Sequence, residues 1–269
     1  MKIILLSLLL ATLSFSCRKE NIEVPGHDPV PLVSKVNIGD EPFYEYIYDN
    51  ENSVSEEKSK FFFITHIYNN LNQLLATDYY SDDSLFINDT KVPENSLIPK
   101  GLMDIADSDI GGILNYEYNI SGQLINTKFS FPSGSNRESS EFSYDANNRI
   151  SRQTLLWDNK RSGYINYLYD GKGNLINEKV YSLSSAGVAE LSTTTLYEFD
   201  NYNNPYRSFF KLMIPGINTN PNNIIKETYT IHFKPGQGTD IVQVTITSYT
   251  YNSKGYPVRK DGTIEYQYQ

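Results

Sequence analysis

The stretch Tyr167-Leu168-Tyr169-Asp170-Gly171-Lys172-Gly173-Asn174-Leu175 decides the fold of this chain. Two alternating aromatic residues precede an aspartate, a glycine follows three residues later, and an apolar residue follows two beyond that. An Asp or Asn at the first position of a type I turn accepts a backbone hydrogen bond from two residues ahead, and a residue at positive φ then returns the chain. Gly adopts that conformation freely, and Asn at low cost. The stretch therefore predicts a β-hairpin with a bulged turn and both aromatics on one strand face.

The same pattern occurs seven times, and we number its copies in chain order. The aromatic and Asx positions are Tyr46/Tyr48/Asp49, His66/Tyr68/Asn69, Tyr116/Tyr118/Asn119, Phe142/Tyr144/Asp145, Tyr167/Tyr169/Asp170, Tyr197/Phe199/Asp200 and Tyr249/Tyr251/Asn252. The Gly or Asn three residues after each Asx is Asn52, Asn72, Gly122, Asn148, Gly173, Asn203 or Gly255. The apolar return residue is Val54, Leu74, Leu124, Ile150, Leu175, Pro205 or Pro257. We expect the Asx and Gly/Asn positions to be structural turn residues and the aromatics to pack as ladders.

The composition favours strands over helices. The chain has 22 Tyr and 13 Phe against one Trp and three Met, and aromatic residues suit pleated strands. Each interval between copies holds two strands and a second, variable turn, as at Asp158-Asn159-Lys160, which gives about sixteen strands. So many strands cannot remain one flat sheet. The predicted fold is all-β: an antiparallel hairpin-repeat meander over residues 35–269, rolled into a barrel-like or open spiral sheet. A membrane-spanning barrel is the rival, but strands such as Ser151-Arg152-Gln153 lack its apolar outer band.

Two intervals are longer than the others. Asp78 to Gly112 is acidic and contains a candidate short helix at Leu102 to Ile105. Phe199 to Tyr251 contains an Asn-rich loop, with Asn218, Asn220, Asn222 and Asn223, and an extra hairpin. Irregular segments of this length are typical of binding loops or lids.

The repeat resembles the YD repeat of Rhs-type proteins, which reads Tyr-x-Tyr-Asp, two or three residues, Gly, a basic or polar residue, and Leu. Tyr167 to Leu175 and Phe142 to Ile150 match it best, and the likeness spans roughly Tyr44 to Tyr268. Asn replaces Asp at Asn69, Asn119 and Asn252, and Pro replaces Leu at Pro205 and Pro257. Rhs proteins wrap many repeats into a shell around a toxin. The resemblance implies the hairpin repeat without toxin delivery, as in small YD-repeat lipoproteins of Bacteroidetes type.

The N-terminus reads as a bacterial export signal. Lys2 is followed by an apolar run from Ile3 to Leu13 and by small residues before Cys17, the only cysteine. The run is shorter than the roughly 20 residues that span a membrane. It resembles a lipoprotein signal, which implies a signal peptide at 1–16, lipidation of Cys17 and a flexible, lipid-anchored tether at 17–34. The alternative is an ordinary cleaved secretory peptide in which Cys17 is incidental.

Location and partners follow from the anchor and from the charge. We expect the bacterial cell envelope, as an outer-membrane lipoprotein exposed at the surface, with the membrane bound through Cys17. The formal charge of −9 and the pI near 4.9 repel phosphate backbones, so nucleic acid is not an expected partner. A surface glycan or protein is the partner class left open.

The sequence predicts no catalytic residue, cofactor or metal. His27, His66 and His232 are scattered, and no phosphate loop or dinucleotide fingerprint occurs. Asp104, Asp107 and Asp109 precede Gly111 and could attract calcium, but their spacing does not fit an EF-hand loop, and we expect a solvated acidic loop.

Aromatic residues outside the repeat columns are the candidate ligand contacts, since exposed rings stack on sugars and peptides. They are Tyr79, Tyr80, Trp157, Tyr202 and Tyr206. Three functions are open: a non-enzymatic envelope lipoprotein that binds or scaffolds at the cell surface, a carbohydrate- or peptide-binding module using these aromatics and the two long loops, and a hydrolytic enzyme with carboxylates from different repeats.

Overall fold

The computed structural model describes residues 30–81, 109–131, 138–209, 212, 214–215, 220–234 and 236–269. The predicted signal peptide, Cys17, Asp104 and Asp107 lie outside the described residues, as does the candidate helix at Leu102 to Ile105. The described part contains one 3-10 turn, at Arg207–Phe209, and no α-helix. Among the described residues, therefore, no helix is long and apolar enough to cross a membrane. Its strands are β1 (Val33–Ile38), β2 (Glu41–Tyr48), β3 (Val54–Ser59), β4 (Phe63–Tyr68), β5 (Leu74–Ser81), β6 (Asp109–Tyr118), β7 (Leu124–Ser130), β8 (Glu138–Tyr144), β9 (Ile150–Trp157), β10 (Lys160–Tyr169), β11 (Leu175–Leu183), β12 (Ala189–Asn203), β13 (Asn222–Ile231), β14 (Ile241–Ile246), β15 (Tyr249–Tyr251), β16 (Pro257–Lys260) and β17 (Ile264–Tyr268).

The strands form one antiparallel meander. Consecutive strands pair from β1 to β14 and again from β15 to β17. β17 then returns to the other side of β1, where Tyr266 lies opposite Val36. Thr247 and Ser248 join β14 to β15 through the chain, and no ladder is described between the two. The predicted all-β meander is therefore confirmed, as 17 strands in a curled sheet that is not closed into a barrel.

The motif turns lie at one rim of the sheet, which we call the regular rim. At the fifth copy, the N–H groups of Lys172 and Asn174 both donate to Asp170 Oδ1 at 2.8 Å, and Gly173 has φ 94°. The same pair of backbone bonds forms at Asp49, Asn69, Asn119, Asp145 and Asn252. Positive φ also occurs at Asn52, Asn72, Gly122, Asn148 and Gly255. Six of the seven copies thus share one turn.

The second aromatic of a copy hydrogen-bonds to the copy before it. Its hydroxyl donates to the carbonyl of the preceding return residue, in the pairs Tyr68 to Val54 (2.8 Å), Tyr118 to Leu74 (2.9 Å), Tyr144 to Leu124 (2.9 Å) and Tyr169 to Ile150 (2.8 Å). Burial raises the pKa of Tyr118 to about 12, so its hydroxyl remains a donor at neutral pH. These bonds join successive hairpins in addition to the strand ladders.

The core lies on the inner face of the curl, in two clusters. One contains Val33, Val36, Tyr46, Val54, Phe209 and Tyr266. The other contains Leu124, Phe142, Ile150, Tyr167 and Leu175. Leu212 packs against the first cluster and Ile214 against the second. The described residues between 204 and 215, which we call the inner segment, therefore fill the space inside the sheet.

The sixth copy directs the chain into that space. Asn203 belongs to β12, opposite Asn222 of β13. Asn204, 2% exposed, accepts the N–H of Tyr206 at 2.9 Å and donates to the carbonyl of Asn220 at 2.8 Å. Pro205 has no N–H to donate to a ladder, and it belongs to none of the described strands. The chain forms the 3-10 turn instead and buries Phe209.

Candidate functional site

A cavity of about 410 Å³ lies between the inner face of the sheet and the inner segment. Leu114, Phe129 and Leu155 form apolar parts of its wall, and Ile214 lines it from the inner segment. The volume falls within the range of small-molecule sites. The lining comes from β6 to β10, toward the strand ends opposite the regular rim.

Trp157 is the aromatic residue of this cavity with the clearest access to solvent. It ends β9, lies opposite both Glu138 and Lys160, and is 47% exposed. Asp158 and Asn159 have φ of 49° and 60°, as in a two-residue type I′ turn. This tight turn directly follows Trp157, which lines the cavity while part of the residue remains exposed to water.

The polar lining of the cavity is almost entirely neutral. Gln153 donates to Ser140 Oγ at 2.9 Å and accepts the hydroxyl proton of Tyr167 at 2.7 Å. Burial raises the pKa of Tyr167 far above its ordinary value, with a contribution from Glu178. Glu138 is the only titratable residue in the described lining. The arrangement can hold a neutral molecule by stacking and hydrogen bonding.

A second group of polar residues is buried inside the sheet. His66 Nε2 lies 2.8 Å from Glu57 Oε1, and its Nδ1 lies 3.0 Å from Thr77 Oγ1. Thr77 Oγ1 is in turn 3.2 Å from the hydroxyl of Tyr116. A hydroxyl, imidazole and carboxylate in this order resemble a nucleophile with its base and orienting group. Thr77 is only 1% exposed and does not line the cavity, so these groups satisfy one another.

Two carboxylates flank β12 on the inner side of the sheet. Glu178 lies opposite Thr195, and Glu227 lies opposite Tyr197. Burial raises the pKa of Glu178, and the negative charge of Glu227 raises it further. Their strands are two spacings apart, about 10 Å, and neither residue lines the cavity.

The five candidate aromatics do not form one site. Tyr79 lies beside Phe129 of the cavity wall, with ring centroids 6.0 Å apart, and Tyr80 lies 5.5 Å from Phe63. Tyr202, at the regular rim, stacks on Tyr251 at 4.0 Å. Tyr206 packs in the first core cluster. Trp157 alone is both half-exposed and part of the cavity.

Sequence reasoning did not find the cavity residues Leu114, Phe129, Glu138 and Gln153, because they come from separate strands. The register of the alternating strands was the available signal, since it places Gln153 on the same face as Ile165 and Tyr167. Within the described residues, no group of three or more His, Cys, Asp or Glu could hold a metal ion.

No family model and no curated protein matches the chain in sequence. Among solved structures, it is similar to a porin-like protein from Bacteroides uniformis, at 12% identity over 88% of this chain and 98% of that one, with a TM-score of 0.40. A porin-like protein from Bacteroides vulgatus matches at 12% identity over 89% and 99%, with a TM-score of 0.38. The Photorhabdus luminescens Tc holotoxin pore matches at 12% identity over 82% of this chain but 12% of its own, with a TM-score of 0.29. At these values the likeness carries no functional assignment.

Proposed function

We propose that this chain is a non-enzymatic lipoprotein of the bacterial cell envelope that binds a partner or ligand at the cell surface. The observation that carries the binding role is the cavity of about 410 Å³ that Trp157 lines, in which Glu138 is the only titratable residue among the described lining residues. The lipid anchor is supported by the sequence around Cys17. The outer membrane, with exposure at the surface, is the location we propose.

Labelling of the full chain in a Gram-negative host tests the anchor. We expect a radioactive fatty acid to be incorporated into the protein and to disappear in Cys17→Ser, which leaves the folded unit Pro31–Gln269 unchanged. Protease treatment of intact cells then tests surface exposure. Incorporation that persists in Cys17→Ser would remove the proposed anchor.

A neutral saccharide is the ligand class that the cavity favours, with a peptide as the second class. A half-exposed indole beside hydroxyl and amide groups offers a stacking surface and uncharged hydrogen-bond partners. Because Trp157 is the only tryptophan, its fluorescence reports on this cavity alone.

Fluorescence titration of residues 31–269 with neutral oligosaccharides and with peptides tests the binding role. We expect a saturable emission change, and a loss of affinity of about tenfold or more in Trp157→Ala by calorimetry. Tyr202→Ala is the matched control, because Tyr202 is 49% exposed but lies away from the cavity. Catalytic turnover of a bound compound that Glu138→Gln abolishes would overturn the non-enzymatic assignment.

A further inference from the structure

β14 presents an open edge of the sheet. It pairs with β13 on one side, and no ladder is described on its other side. Its apolar residues are strongly exposed: Ile241 is 55%, Val242 58%, Val244 53% and Ile246 67% exposed. Asp261 donates its N–H to the carbonyl of Ser248, where the β16–β17 hairpin turns back, so that hairpin leaves β14 uncovered. A long apolar edge with unpaired backbone groups is a template for another strand.

The hydrogen-bond pattern identifies which backbone groups point outward. Thr247 donates to the carbonyl of Ile225 at 2.9 Å, in register with the pair Glu227 and Thr245. In an antiparallel ladder, alternate residues bond to the same neighbour. The N–H and C=O groups of Val242, Val244 and Ile246 therefore point toward the open side.

We propose that β14 pairs antiparallel with β14 of a second copy of this chain, about a twofold axis at Val244. In that register Val244 faces Val244 of the second copy, and Val242 faces Ile246. The outward-pointing groups then form about six backbone hydrogen bonds. The three apolar side chains of each copy meet on one face, while Gln243 meets Thr245 on the other.

The sequence of β14 fits this occupant for two reasons. It carries no charge between Ile241 and Ile246, so self-pairing brings no like charges together. Its apolar residues at alternate positions are symmetric about Val244, as an isologous contact requires. A single strand pair buries less than the roughly 1,200 Å² of stable interfaces, so the dimer is weak and depends on concentration.

Sedimentation of residues 31–269 across a roughly hundredfold range of concentration tests the pairing. We expect a monomer–dimer equilibrium. Val244→Lys brings two ammonium groups together at the axis and raises the dissociation constant at least about tenfold. Ile125→Lys is the matched control, because Ile125 is 41% exposed on β7, which is paired on both sides, and it keeps the wild-type equilibrium.

Cross-linking fixes the register. Residues 31–269 contain no cysteine, since Cys17 is the only one, so Val244→Cys carries a single thiol. We expect a short bismaleimide to link Val244→Cys into dimers faster than it links Ile241→Cys. Circular dichroism and thermal melts confirm that each variant is folded. A wild-type monomer at all concentrations, species larger than a dimer, or a Val244→Lys equilibrium like that of Ile125→Lys would overturn the proposal.

Discussion

The fifth and sixth copies of the repeat each have an aspartate at the same motif position, but the two aspartates accept hydrogen bonds from different parts of the chain. Asp170 accepts the backbone of its own turn, from Lys172 and Asn174. Asp200 accepts the N–H of Tyr202 at 2.9 Å and of Asn223 at 3.1 Å, and also the hydroxyl of Tyr251. The first closes a hairpin, whereas the second joins β12, β13 and β15 around the point where the chain turns inward. In both copies the motif places a hydrogen-bond acceptor at the rim, and the residues that follow the aspartate determine which donors reach it.

Truncation of Phe209, the buried aromatic residue of the inner segment, has the largest expected effect on stability. Phe209 is 2% exposed and its ring lies 4.9 Å from that of Tyr46. We expect Phe209→Ala to lower the free energy of unfolding by about 3–5 kcal/mol, because truncating a buried aromatic leaves a cavity. Urea denaturation measures the loss. A cost below about 1 kcal/mol would show that the inner segment contributes little to the core.

The second largest effect is a difference in the stability lost when each aspartate is replaced by alanine. We expect Asp200→Ala to destabilise by about 2–3 kcal/mol, because hydrogen bonds to charged groups are strong and three elements lose their shared acceptor. Asp170→Ala loses the backbone bonds from Lys172 and Asn174, which lie within a single turn, and we expect a cost of about 1 kcal/mol, as for the loss of a helix cap. The two variants are compared by denaturation in one buffer, and equal costs would contradict the distinction between the two copies.

Loss of one tyrosine hydroxyl bond between successive copies has a smaller expected effect on stability. We expect Tyr144→Phe to cost about 1 kcal/mol, because the Leu124 carbonyl loses its donor while the ring remains. Phe199, at the corresponding position of the sixth copy, has no hydroxyl, so Phe199→Leu tests the packing of that ring alone. If Tyr144→Phe equals wild type in thermal melting, these bonds do not join the copies.

The pH dependence of the fifth copy is the smallest expected effect. Partial burial raises the pKa of Asp170, but hydrogen bonds from Asn174, Lys172 and Gly173 outweigh this and lower it below its ordinary value. A lowered pKa in the folded state adds stability above the unfolded value near 3.9, and this stability is lost as pH falls through the folded pKa. We expect Asp170→Asn to reduce the slope of stability against pH below about 4. An unchanged slope in acid titration would place the dependence elsewhere.

The meander could be predicted from the sequence because each position of the repeat has a local requirement: an acceptor, a residue tolerant of positive φ, and alternating aromatics. The link between copies could not, because packing explains an aromatic ring but not its hydroxyl. Tyr rather than Phe at 68, 118, 144 and 169 was the available signal. The inner segment could not be predicted either, because asparagines beside it suggest a polar surface loop. Asn204 and Asn220 are instead buried, through hydrogen bonds that only the tertiary structure supplies.

Val33, the first residue of β1, lies at the regular rim, where its carbonyl accepts the hydroxyl of Tyr48 at 2.7 Å. The chain therefore enters the folded unit Pro31–Gln269 at the rim that bears the repeated turns. Glu138 and Trp157 lie at the strand ends opposite this rim. Because the cavity lies toward the opposite strand ends, a ligand at Trp157 is held away from the point where the chain enters the folded unit.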